Sequence, residues 1–260
     1  MSDSKKITKE QRENMALYRA LLWFGGAVIL EALLLLVNRY YIHYRVGESN
    51  EIYFALALSK VFPFLCGLFV AGAAGAAVWV SKCLQKGKNA VIPGALMIAA
   101  VMASLCSFAI TLFYASGVKL SLVAVPVVAA LGMIYYLYQK EFFLSCVITA
   151  SAILALWSIR TFNAGVKLYL LVAAMVVVIA ICVALAALLQ KNQGVLTVFS
   201  QRVRVFAKGS SYVPLYLSAA VSSISIIVGL FMGVTVAYYA IFLLVAMLFI
   251  LAVYYTVKLM

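Results

Sequence analysis

Long apolar runs separated by short polar interruptions occupy most of the chain. A helix needs about 20 apolar residues to cross a ~30 Å hydrocarbon core. Eight runs meet that length, at 17–38, 53–80, 91–115, 119–138, 142–159, 166–189, 213–232 and 235–257. Only Gln139, Lys140 and Glu141 separate the fourth from the fifth, and only the stretch around Gly233 separates the last two. A count of six or seven would arise at those two joints. The pattern predicts an all-α fold, a polytopic transmembrane helix bundle of eight spans.

Polar residues inside the runs are not scattered evenly. The third run places Ser104, Ser107 and Thr111 on one helical face, and the seventh places Ser218, Ser222, Ser225 and Gly229 likewise. The fifth carries Ser145 and Thr149 four residues apart, whereas the fourth, sixth and eighth are almost wholly apolar between their ends. Small and hydroxyl residues favour helix–helix contact in lipid. The odd-numbered helices are therefore expected inside the bundle and the even-numbered ones nearer lipid.

The chain also echoes itself. Gly117-Val118-Lys119-Leu120 returns as Gly165-Val166-Lys167-Leu168, and more weakly from Gly233-Val234. Gln85-Lys86, Gln139-Lys140 and Gln190-Lys191 end three of the even-numbered runs. Repeated helical hairpins would give this spacing, and so would similar interface chemistry at similar turns, with glycine supplying the tight turn.

Composition agrees with a bilayer as solvent. Of 260 residues 67% are hydrophobic and 10% charged, against about 45–50% and 25% in soluble domains. The formal charge of +13 does not indicate nucleic acid, because the basic residues lie between apolar stretches rather than on one folded surface. Arg39, Arg45, Lys119, Arg160 and Lys167 fall on one side of the eight-span arrangement, Lys60 lies within a span, and the remaining Lys/Arg fall on the other side. By the positive-inside rule both termini are cytoplasmic, and the expected location is the plasma membrane. Tyr40, Tyr41 and Tyr44 mark one interface and Tyr135, Tyr136, Tyr138, Tyr254 and Tyr255 the other. The polar segment 1–16 reads as a cytoplasmic N-terminal segment, and 17–260 as a single transmembrane domain. The first run is longer than a signal-peptide core and contains Glu31, so an uncleaved anchor is expected.

The five cysteines form no CxxC or Cys/His metal spacing, and no Walker A, GxSxG or HExxH motif occurs. The expectation is a non-enzyme without cofactor or metal. Among the acidic residues only Glu31 lies clearly within a span, so paired-carboxylate chemistry has no core candidate.

Two ionisable residues, Glu31 and Lys60, fall inside the first two spans. Each would cost about 2.5–3.5 kcal/mol at the bilayer centre. Glu31 precedes Asn38 by seven residues and Lys60 follows Tyr53 by seven, so antiparallel neighbours bring them to one depth, ~10 Å below the outer interface. Pro63 removes a hydrogen bond from the carbonyl of Ser59 beside this pair. The pair either holds two helices in register or lines a pocket for a proton, an ion or a charged solute, with Ser59, Ser104, Ser107 and Thr111 as lining and Arg39 and His43 as its mouth. In the cytoplasmic loop 191–211, Arg202, Arg204 and Lys208 are candidates for contact with anionic lipid or a partner. Leu196, Phe199, Val203 and Phe206 would suit a short interfacial helix, while Val203-Arg204-Val205 alternates as a strand does. Two functions follow: a small transporter or permease-type subunit with its polar site in the outer half of the membrane, or a non-catalytic membrane subunit or scaffold. The expected partners are the lipid bilayer and a membrane-protein partner or second copy of the chain, not nucleic acid.

Overall fold

A computed structural model describes residues 9–44, 49–85, 91–163, 165–192, 194–198, 201–204, 206 and 212–259. Among these, eight helices are long and apolar enough to cross a membrane. They are α1 (Lys9–Val37), α2 (Ser49–Gln85), α3 (Val91–Phe113), α4 (Ala115–Leu137), α5 (Lys140–Thr161), α6 (Val166–Lys191), α7 (Val213–Met232) and α8 (Val234–Leu259). A helix satisfies all its backbone groups within itself, which is why apolar runs of this length adopt it where water is absent. The ends agree with the sequence boundaries to within a few residues. The exception is α1, which extends toward the N-terminus from Leu17 to Lys9 and continues past Val37 as a π-helical turn, Asn38–Ile42. Pro63 lies inside α2, which runs on to Gln85.

Two of three informative joints differ from the pattern's reading. The α3–α4 turn is made not by Gly117 but by Tyr114, the one non-glycine residue with positive φ (50°) among those described. Gly117 sits in the first turn of α4, where a Cβ would collide with the carbonyl of Ala109. Its missing side chain permits close approach rather than a turn. At the α7–α8 joint Gly233 does supply the positive φ, 88°. In the loop after α6 a helix does not form: β1 (Val195–Val198) pairs antiparallel with β2 (Gln201–Arg204), Val195 opposite Arg204 and Val198 opposite Gln201. The alternating pattern at Val203-Arg204-Val205 prevailed over the poor helical period.

Contacts divide the chain into two compact units, one formed by Tyr18–Ala130 and the other chiefly by Leu131–Met260. In the first, α2 packs along α3, and a core of Leu34, Tyr41, Ala55, Phe62, Cys106, Ile110, Val118 and Val125 draws on all four helices. In the second, α5 is central and packs against α6, α7 and α8. Its span is 72% buried, against 22% for α6, 39% for α7 and 17% for α8. The expectation that odd-numbered helices lie inside thus describes this unit. It does not describe the first, where α1 and α2 are equally open, as are α3 and α4.

Candidate functional site

Within the first unit, the Glu31 side chain is half-buried, yet its Oε2 is fully enclosed and has no hydrogen-bond partner. Its neighbours come from α3 and α4. The Cys106 thiol lies within electrostatic reach of Glu31 and beside Ser121. Ser121 Oγ is itself buried and completes no well-aligned hydrogen bond. Helix geometry explains the meeting. Glu31 is six residues before the end of α1, Cys106 seven before the end of α3, and Ser121 six after the start of α4. At 1.5 Å per residue all three lie ~10 Å from their helix ends.

Lys60 is exposed, and Glu31 and Lys60 form no ion pair. Ser59 is exposed and donates to the Leu56 carbonyl at 2.7 Å. Ser104 donates to the Val101 carbonyl (2.8 Å), and its own carbonyl accepts from Cys66 Sγ of α2 at 3.8 Å. Thr111 donates to the carbonyl of the buried Ser107 at 2.8 Å. These hydroxyls spend their hydrogens on helix backbone, and none bonds Glu31. The face of α3 that meets Glu31 carries Cys106.

At the end of α1 the π-helical turn widens the backbone, a feature common at functional sites. Arg39 pairs with Glu51 at 3.8 Å and donates to the His43 carbonyl, while His43 Nδ1 lies 3.1 Å from the Asn38 carbonyl. Tyr41 is buried here, edge-on to Phe62 and Tyr114, and its carbonyl accepts from Tyr114 Oη at 3.4 Å. An open recess of about 250 Å³ is lined by Tyr40, Asn50, Glu51 and Phe54.

The second unit holds a polar group that sequence reasoning passed over. Glu141, read as part of a joint, is the second residue of α5 and is 5% exposed. Tyr255 of α8, fully buried, reaches both Glu141 and Ser145. Tyr212, just before α7, is pushed above the ordinary tyrosine range by burial first and then by the nearby Glu141 and Tyr216. The only advance signal was spacing, because Glu141, Ser145 and Thr149 recur every four residues and continue the face already marked by the two hydroxyls.

The side chains of Arg202 and Arg204, and Lys208 altogether, lie outside the described residues. No known protein family, curated protein or solved structure matches this chain.

Proposed function

We propose that the chain is an integral membrane protein, a small transporter or permease-type subunit whose Glu31 binds a proton or a small cation. The observation that carries this is the enclosed, unpartnered Glu31 Oε2 in a helix long enough to span a bilayer. An intramembrane carboxylate is expensive and is retained where it meets a solute, an ion or a proton. Cys106 and Ser121 add weakly polar groups at the same depth, and no described cation neutralises Glu31 from within. A cationic species fits such a site better than an anion. The excess of basic residues on one side supports cytoplasmic termini in a plasma membrane.

The test is flux in liposomes containing the purified protein, followed with a pH-sensitive dye and with monovalent-cation indicators. Glu31→Gln removes the charge with little change of shape and is expected to abolish flux. Lys60→Met, at an exposed position with no ion pair among the described residues, is expected to leave it near wild type. Wild-type flux in a folded Glu31→Gln protein refutes the proposal. Loss of flux in Lys60→Met alone would move the site to Lys60 and refute it equally.

A further inference from the structure

We propose that the ion taken by Glu31 is the proton and not a metal cation. This rests on the reading of Glu31 as the ion-binding residue and narrows it to one ion.

The donor set decides between the two. Calcium takes about six to eight oxygen ligands and magnesium about six, and softer metals prefer thiolates and imidazoles. At the level of Glu31 the neighbouring helices supply one thiol, Cys106 of α3, and one hydroxyl, Ser121 of α4. No group of three or more histidine, cysteine, aspartate or glutamate side chains fit to hold a metal occurs among the described residues. Sodium in a membrane protein is commonly held by the carbonyls of unwound helix. Here α1, α3 and α4 run as unbroken α-helix through Glu31, Cys106 and Ser121, so their carbonyls are engaged in helical bonds. One exception lies at this level, because Pro126 inside α4 gives no donor to the Leu122 carbonyl. Even with that oxygen the set stays short: a carboxylate, a hydroxyl and a carbonyl.

A proton asks for a single oxygen. Glu31 Oε2 is enclosed, and no donor holds a negative charge on it. A carboxylate taken out of water without a partner usually neutralises instead of staying charged. The groups around it supply no compensating charge. Cys106 is a thiol, a weak donor and a weak acceptor. On α4 the Lys119 side chain is exposed, and on α2 Lys60 is exposed and makes no ion pair with Glu31. Tyr41, ten residues further along α1, lies ~15 Å away along the helix. Protonated, Glu31 also brings an O–H donor to a place where two enclosed oxygens, its own Oε2 and Ser121 Oγ, complete no hydrogen bond.

The experiment uses the full chain in liposomes and infrared spectroscopy, which separates a carboxylic acid from a carboxylate. Spectra are taken through a pH titration, and those of Glu31→Gln are subtracted. Ionic strength is held constant with N-methylglucamine, which sodium, potassium or calcium replaces in tenfold steps. Wild type is expected to show a carboxylic acid band that grows as pH falls, is absent in Glu31→Gln and keeps its midpoint in every salt. A metal ion competing for the same carboxylate, once above its own affinity, would lower the midpoint by about one pH unit for each tenfold rise in its concentration. Such a shift in any of the three salts overturns the proposal. So does the absence of a titrating band that depends on Glu31. Glu31→Met serves for the subtraction if Glu31→Gln fails to fold. The spectrum requires no flux. A titrating, salt-independent band without flux refutes transport and leaves the proton assignment standing, and flux with a salt-dependent midpoint does the reverse.

Discussion

Replacing Glu31 with methionine removes a carboxylate and keeps the length of the side chain. An enclosed acceptor without a hydrogen bond costs about 1–3 kcal/mol. An acidic residue at the centre of a membrane helix costs about 2.5–3.5 kcal/mol on the insertion scale. Glu31 lies about two turns from the helix end and is only half-buried, so the lower range applies. Against this stands repacking around Cys106 and Ser121, which for a substitution of similar volume costs less than about 1.5 kcal/mol. The expected net effect is a more stable protein, by roughly 1–2 kcal/mol, or about tenfold in the folding equilibrium. Trp23 and Trp79 lie on α1 and α2, and Trp157 lies on α5. Unfolding by sodium dodecyl sulfate in mixed micelles, followed by tryptophan fluorescence on a Trp157→Phe background, therefore reports on the first unit. A Glu31→Met protein that is less stable by more than about 1 kcal/mol refutes the reasoning, since it means the carboxylate has a stabilising partner. A gain in stability together with lost flux is the trade expected of a functional residue held at structural cost.

Two other perturbations test the packing and the electrostatics. Gly117→Ala should destabilise by about 1–3 kcal/mol, because its Cβ meets the Ala109 backbone, which cannot yield. Gly229→Ala should cost only about 0.5–1.5 kcal/mol, because the obstructing atom is the end of the flexible Leu156 side chain. The same micelle titration ranks the pair, and the reverse order would contradict the contacts described. Tyr212 holds its proton more tightly in the folded chain than in the unfolded one. Its contribution is therefore level below the ordinary tyrosine value of about 10 and is lost as pH rises above it. Stability measured from neutral to strongly alkaline pH should fall less steeply in Tyr212→Phe, and equal slopes above that value would exclude the effect.

The helices were legible because a run of twenty apolar residues has few alternatives to a helix. Position along the helix was legible too. Counting from chain turns placed Glu31 about two helical turns from its end, where the structure has it. The neighbour was not legible. A neighbouring helix of either sense offers a residue at that level, and only packing decides that Cys106 and Ser121 take the place expected for Lys60. Glu141 was missed for a related reason. Beside Gln139 and Lys140 it reads as solvent-facing, and the tyrosines within its electrostatic reach, Tyr212 and Tyr255, are more than seventy residues away in sequence. The turn at Tyr114 hid behind Gly117, since sequence gives glycine's conformational freedom more weight than its small size.

The central position of α5 makes the second half of the chain uneven in its tolerance of change. Helix α5 as a whole packs against three others, so an exchange on any of its faces has to suit a neighbour. The outward faces of α6 and α8 need only remain greasy. Over evolutionary time the two kinds of surface would drift at different speeds. The Glu141–Ser145–Thr149 register would keep its spelling long after the flanking helices had exchanged most of their leucines and valines.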